Sequence, residues 1–293
     1  MERMNDDVKD VKVDDIDATR DAARLEERIV SYGSAVVGFS GGVDSSVVAA
    51  AAFAALGERA LAVTAVTETL TDADRALTRS LAAGLGVPHI EIAYSELEIP
   101  HYAENPVNRC YFCKDGLYTR LRGVADERGF AALLDGTNAD DAGDYRPGRT
   151  AAAEQSVFSP LLDLGITKQG VRRLARHYGL ANHDKPSSPC LSSRVPYGTP
   201  ITREILDRIA AAEERLRALG FRELRVRHHD DVARIEIPRD DFERAVHHAE
   251  RINDELRAVG YRFVSLDLGG FRSGSLNDAI VDDAIVQITI PAQ

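Results

Sequence analysis

The 293-residue chain has no tryptophan, two methionines, three cysteines and, among its 36 basic residues, five lysines: Lys9, Lys12, Lys114, Lys168 and Lys185. An odd number of cysteines behind an Asp-rich opening that is not an apolar export signal excludes a disulfide framework. No apolar run approaches the roughly 20 residues that span a bilayer. Positive charge is also short, with 36 Lys and Arg against 47 Asp and Glu for a formal charge of −11. That balance argues against a general nucleic-acid binder, which replaces phosphate counterions with Lys and Arg. Abundant carboxylates with scarce lysine suit a protein working in high salt. The 44% hydrophobic content is ample for a packed core. The expectation is a cytoplasmic chain with no membrane or nucleic-acid partner.

Residues 1–18 carry scattered charge and read as a flexible leader. Short apolar runs then alternate with helical stretches. Ala35–Phe39, Ala60–Val66, Val87–Ile92 and Ala131–Leu134 read as buried strands. Val47–Leu56, Asp72–Leu85 and the span around Leu117–Ala125 read as helices, stopped by Gly57, Gly86 and Gly129. This rhythm predicts an α/β fold with a parallel Rossmann-like sheet, whose ligands sit outside the carboxyl ends of the strands. Composition shifts near Pro186–Pro189 and again at Pro196–Pro200. The first domain is therefore drawn as 19–195, and 196–293 as a smaller α+β domain for substrate binding or oligomerisation. In it, helix 202–219, strands 224–228 and 233–237, a helix at about 240–259 and a strand at 262–268 follow one another.

Ser40-Gly41-Gly42-Val43-Asp44-Ser45-Ser46 lies between a buried strand and a helix. Such a loop offers backbone N–H groups and a helix N-terminus to phosphate oxygens. Glycine at 41 and 42 lets the backbone approach the anion, and Ser40, Ser45 and Ser46 add donors. Asp44 beside phosphate is unfavourable unless Mg²⁺ lies between them. No Walker-type lysine follows, so the loop is not a kinase P-loop.

Cys110 and Cys113 stand three apart in Asn108-Arg109-Cys110-Tyr111-Phe112-Cys113-Lys114, and Cys190 follows in Ser188-Pro189-Cys190-Leu191-Ser192-Ser193-Arg194. The CxxC pair alone fits a buried structural pair as well as a metal site. With Cys190 it forms a candidate three-thiolate set, which can hold a 4Fe–4S cluster with one open iron. Zinc with three Cys and His101 or His183 is the other candidate.

The SGGVDS loop resembles the PP-loop of the ATP-pyrophosphatase superfamily. The strings Asp135-Gly136-Thr137-Asn138-Ala139-Asp140-Asp141, Gly143-Asp144-Tyr145-Arg146-Pro147-Gly148, Asp184-Lys185-Pro186, Pro189–Arg194, Pro196-Tyr197-Gly198, Arg225-Val226-Arg227 and Gly269-Gly270-Phe271-Arg272-Ser273-Gly274 follow it in order. Together, over about residues 20–280, they resemble the LarE family of ATP-dependent sulfur transferases, which make the nickel-pincer nucleotide used in lactate racemase maturation. The resemblance implies an ATP- and Mg²⁺-dependent enzyme that adenylates pyridinium-3,5-biscarboxylic acid mononucleotide and exchanges AMP for sulfur. With three cysteines, Cys110, Cys113 and Cys190, it implies the type that carries sulfide on a 4Fe–4S cluster; other members sacrifice the cysteine matching Cys190. It places Ser40, Gly41, Gly42, Asp44, Ser45, Ser46, Thr64, Gly136, Thr137, Asn138 and Lys185 at the nucleotide, with a plain surface lysine as the alternative for Lys185. It implies Asp44 and Cys190 as the catalytic residues. Asp140, Asp141 and Asp144 either help hold Mg²⁺ or order their loop. Arg194, Arg225, Arg227 and Arg272 are expected at the substrate phosphate, since arginine forks suit a monoester; a solvated edge strand is the alternative for Arg225 and Arg227. A homo-oligomer is also expected. Competing readings are a tRNA thiolase of the same superfamily, which needs a broad basic face, and an ATP-binding regulatory module with structural zinc.

Overall fold

A computed structural model describes residues 2–142, 147–186 and 189–272. The chain forms two compact units, Met1–Ser95 with Cys110–Ser188, and Glu96–Arg109 with Pro189–Gln293. The first contains α1 (Glu2–Val30), β1 (Ala35–Gly38), α2 (Val43–Leu56), β2 (Ala60–Val66), α3 (Asp72–Leu85), β3 (His89–Ala93), α4 (Arg109–Arg128, its first residue counted with the second unit), β4 (Ala132–Leu134), α5 (Gly148–Glu154), β5 (Val157–Phe158), α6 (Pro160–Asp163) and α7 (Lys168–His177). Its five strands are parallel in the order β3-β2-β1-β4-β5.

Alternation along the strands divides the core. Ala35, Val37, Ala60 and Ala62 pack with α1, α2 and α7, through Leu25, Val47, Val48 and Leu174. Val36, Leu61, Val63 and Leu133 face the other way, onto Tyr118, Leu121 and Ala125 of α4 and Ala151 of α5. A strand covered on both faces reads as a continuous apolar run, which is why β1 and β2 are legible in the sequence. The strand order puts β1 beside β4, where the chain's direction of travel across the sheet reverses. Ligands of open parallel sheets bind at such a point, and the loops after β1 and β4 carry Ser40–Gly42 and Asp135–Asn138.

The second unit contains α8 (Arg203–Ala218), β6 (Arg225–His229), β7 (Val232–Glu236), α9 (Phe242–His247), α10 (Ala249–Ala258) and β8 (Phe263–Leu266). β7 pairs antiparallel with β6 and parallel with β8. Leu216, Phe221, Val226, Ala233, Ile235, Leu256 and Tyr261 form its core.

The structure departs from the sequence reading at several places. The leader expected at 1–18 is helical from Glu2 onward as the first half of α1. The helix expected at 240–259 is broken at His248, whose ψ of 15° ends α9 before α10 begins. Glu96–Arg109 joins the second unit because its backbone pairs there: Gly198 N donates to Asn105 O at 2.9 Å and Ile201 N to Ala103 O at 2.8 Å. The later boundary falls at 188/189 rather than at 195/196. Gly143, Asp144, Tyr145, Arg146, Ser187, Ser188, Ser273 and Gly274 lie outside the described residues. No described helix is long and apolar enough to cross a membrane.

Candidate active site

In the first unit the glycine loop is built to hold its shape without a ligand. Ser45 Oγ donates to Gly42 O at 3.1 Å and accepts from Ser40 N at 3.2 Å. Ser46 is fully buried, donating to Gly42 O and accepting from Asn182 Nδ2 at 3.0 Å. Gly41 has φ +69°, and a Cβ there would stand 2.8 Å from Thr78 Cγ2, so both conformation and space demand glycine. α2 starts after Gly42 with no side-chain cap, leaving its first amides and its dipole for an anion.

The loop after β4 closes on this one. A Cβ on Gly136 would lie 2.7 Å from Ser45 N and 2.9 Å from the carbonyl carbon of Asp44, so the two backbones touch at Gly136. Asp135 anchors the start of that loop, accepting from Tyr118 Oη, Thr137 N, Thr137 Oγ1 and Ser159 Oγ at 2.7–3.1 Å. The Tyr118 hydroxyl is pushed up to about 12, mainly by burial, and Lys114 is raised by its interaction with Tyr118, with Asp135 adding to the effect. Asn138 Nδ2 donates to Asp44 Oδ1 at 3.0 Å. Asp44 Oδ2 accepts from Lys168 Nζ at 2.5 Å.

Lys168 and Asn182 are site residues that the sequence reading missed. Lys168 is the first residue of α7, behind the cap Thr167. A cation opposes the helix dipole at that end, and this mismatch was the available signal. Asn182 is buried, donates to Gly41 O at 3.1 Å as well as to Ser46, and its Oδ1 has no partner.

Other predicted residues have local duties. Thr64 is buried, donating to Phe39 O at 2.7 Å and touching His89 Nε2 at 2.8 Å. Lys185 Nζ is paired with Asp74 Oδ1 at 3.0 Å. Asp140 and Asp141 accept from Lys168 N and Asn138 N, which orders their loop.

In the second unit the arginines lie in a buried charge network. Arg194 binds Glu213 through Nε at 2.7 Å, and Arg227 binds both oxygens of Glu236. Arg217 joins Glu213, while Arg234 joins Glu236 and Asp267. With Arg225, five guanidiniums stand against three carboxylates among the described residues. Arg225 carries the imbalance. It is buried, its Nη1 donates to Arg272 O at 2.8 Å, and its Nε has no partner. Burial first, then Arg227 and Arg194, push it down to about 10. A buried, under-neutralised guanidinium beside other cations is a place for an anion.

Cys110 is exposed and Cys113 half-buried within the first five residues of α4, in the first unit, whereas Cys190 is exposed in the second. Among the described residues no three His, Cys, Asp or Glu side chains are gathered to hold a metal ion.

Residues 20–126 match the family described as NAD synthase. An uncharacterized protein of Synechocystis sp. is 42% identical over 245 residues, covering 83% of this chain and 91% of the relative. The pyridinium-3,5-bisthiocarboxylic acid mononucleotide synthase of Lactiplantibacillus plantarum is 41% identical over 245 residues, 83% of this chain and 89% of that protein. An uncharacterized protein of Methanocaldococcus jannaschii is 30% identical over 177 residues, 60% of this chain and 69% of that protein. With a loop suited to phosphate at the β1/β4 reversal and that degree of identity, the chain belongs to the LarE family, the family of the Lactiplantibacillus synthase.

Proposed function

We propose that this chain is an ATP-dependent sulfur insertase that converts the carboxylates of pyridinium-3,5-biscarboxylic acid mononucleotide to thiocarboxylates in nickel-pincer nucleotide synthesis. The observation that carries the reading is the meeting of Gly41-Gly42, Gly136 and Asn138 around Asp44 at the reversal point of a parallel sheet, in a chain 41% identical to a synthase named for that product.

The first step binds ATP at the loop amides and the uncapped start of α2. Asp44 is the oxygen donor suited to Mg²⁺, and Lys168 is the cation suited to phosphate charge. A substrate carboxylate oxygen attacks the α-phosphorus, pyrophosphate leaves, and an acyl-adenylate forms. Sulfur then attacks the acyl carbon, and AMP leaves with the original oxygen. The adenylate matters because a bare carboxylate oxygen is a poor leaving group. Arg225, with Arg194, Arg227 and Arg272, holds the substrate's phosphate monoester; Thr64, Thr137 and Lys185 shape or brace the nucleotide side.

Sulfur transfer depends on Cys190 in this proposal. A 4Fe–4S cluster on Cys110, Cys113 and Cys190 would supply an open iron for sulfide. The i, i+3 spacing and accessibility of the first two thiols fit a pair of ligands, and Cys190 is the third thiol of the chain. We further propose a homo-oligomer.

The test is anaerobic turnover with ATP, sulfide and the biscarboxylate mononucleotide, with products weighed by mass spectrometry. AMP, pyrophosphate and oxygen-to-sulfur exchange are expected. AMP formation that ignores the acceptor, or no exchange with the wild-type chain, overturns the reading. Cys190→Ala is expected to keep adenylation and lose sulfur transfer.

A further inference from the structure

The turn that bears Cys190 is held by arginines through its main chain. Leu191–Arg194 is a single 3₁₀ turn with Cys190 at its N-cap and no side-chain cap bond. Its own hydrogen bonds are Ser193 N to Cys190 O at 3.0 Å and Val195 N to Ser192 O at 3.1 Å. Turns of this kind have poor bond geometry and little stability of their own, so external donors decide their shape. Arg194 Nη1 donates to Pro189 O at 2.6 Å and Cys190 O at 3.2 Å. Arg227 Nη1 donates to Ser193 O at 2.5 Å. Arg109 Nη1 donates to Ser192 O at 2.8 Å. Four carbonyls around one exposed cysteine thus accept from three buried guanidiniums.

Arg194 and Arg227 already belong to the charge network behind this turn. Arg109 comes from a different part of the sequence and has a separate anchor. Its Nη1 also donates to Asn105 Oδ1 at 2.6 Å, and its guanidinium lies 5.8 Å from the centroid of the Tyr197 ring. Asn105 is itself fixed. It has φ +56°, its Nδ2 donates to Pro196 O at 2.6 Å and Thr199 O at 2.9 Å, and its carbonyl accepts from Gly198 N. The chain from Asn105 to Arg109 is therefore a rigid brace against the peptide of Ser192, two residues beyond the thiol.

We infer that Arg109 is a positioning residue for Cys190: anchored by Asn105, its guanidinium fixes the Ser192 peptide and thereby the place of the Cys190 sulfur. The consequence for catalysis rests on the sulfur-insertase reading. Charge-assisted bonds are the strong class of hydrogen bond, and a reacting atom displaced by about 1 Å costs roughly 100-fold in rate. Adenylation, which uses the first unit's nucleotide loop, does not depend on this brace.

The experiment compares the full chain with Arg109→Gln and Arg109→Lys by two readouts. The first is amide hydrogen exchange over residues 189–195, with strands 225–236 as the internal reference; it needs no turnover. Arg109→Gln is expected to speed exchange there by about tenfold and leave the reference unchanged. The second is the ratio of AMP to thiolated product. It is expected to rise by about tenfold or more at unchanged KM for ATP, with partial recovery in Arg109→Lys. A merely structural residue would lower both products together. The inference is overturned if exchange at 189–195 is unchanged, or if it quickens while the product ratio stays at the wild-type value. If Arg109→Gln does not fold, Arg109→Lys decides on the same criteria. A wild-type chain that makes no thiolated product defeats the functional reading, while the exchange result still tests the brace.

Discussion

Lys168 Nζ stands 2.5 Å from Asp44 Oδ2, joining the first residue of α7 to the glycine loop across 124 positions of sequence. The ammonium takes one carboxylate oxygen of Asp44. Asn138 keeps the other carboxylate oxygen. On the proposed reading Lys168, on its flexible four-carbon stem, is the cation that would meet the nucleotide's phosphate charge. Lys168→Met is expected to weaken Mg·ATP binding by about 10- to 100-fold, the scale of one charged hydrogen bond, and to slow pyrophosphate release at least as much. Calorimetric titration and a pyrophosphate assay check this; unchanged affinity would remove Lys168 from the site.

Gly136→Ala tests the contact between the two loops. The new Cβ would meet Ser45 N at 2.7 Å and the Asp44 carbonyl carbon at 2.9 Å, both backbone atoms that cannot swing aside. The expected cost is about 1–3 kcal/mol of stability, with loss of ATP binding. Gly84→Ala is the matched control. It lies inside α3 with nothing within 4 Å and is expected to raise stability by about 0.5–1 kcal/mol. Denaturant melts of both variants decide, and a wild-type midpoint for Gly136→Ala would mean that the loops can part freely.

What the sequence revealed of this site was local. β2 and α3 end where the apolar runs and Gly86 say they end, and the glycine loop is readable from its own residues. What it hid depends on distant pairing. Nothing near Lys168 points to Asp44, nothing near Asn182 points to Gly41, and nothing near Arg194 or Arg227 points to their partners Glu213 and Glu236. The break at His248 was hidden because no glycine or proline marks it. Glu96–Arg109 reads as a loop of the first domain because its attachment is through backbone carbonyls of residues 195–199 and side chains such as Tyr102, which meets Ser192 Oγ at 2.6 Å.

Arg225 yields a prediction opposite in sign for free and bound protein. A base whose folded pKa is pushed down, here to about 10, costs stability in full below that value, and the cost disappears only as pH rises past the unfolded value. Arg225→Met keeps the contact with Phe271, whose ring lies 4.4 Å from the guanidinium carbon, and removes the charge. In phosphate-free buffer the variant is expected to melt at or above the wild-type temperature. Inorganic phosphate or a nucleoside monophosphate at about ten times its Kd should stabilise the wild type by about 1.4 kcal/mol and the variant hardly at all. An equal ligand shift in both would mean that the phosphate binds elsewhere.

The last prediction concerns acid. The single proton of the Thr64 hydroxyl goes to Phe39 O, so His89 must donate from Nε2 to Thr64 Oγ1. Burial lowers the pKa of His89, and it does the same to His228 in the second unit. A histidine kept neutral in the fold contributes stability that is complete above its unfolded pKa and is lost as pH falls toward the folded one. Glu91 does not blur this window, because its hydrogen bonds to Arg79 and Arg75 hold it down to about 2 and its own loss begins only as pH falls to the ordinary carboxylate value, below this interval. Thermal midpoints should therefore fall between pH 6.5 and 5.5, with His89 and His228 each contributing at most about 1.4 kcal/mol per pH unit. His89→Gln keeps an amide donor for Thr64 without a titrating ring, and its midpoint should fall less steeply over the same interval. An unchanged slope would show that His89 is protonated in the fold and that the Thr64 hydroxyl is oriented some other way.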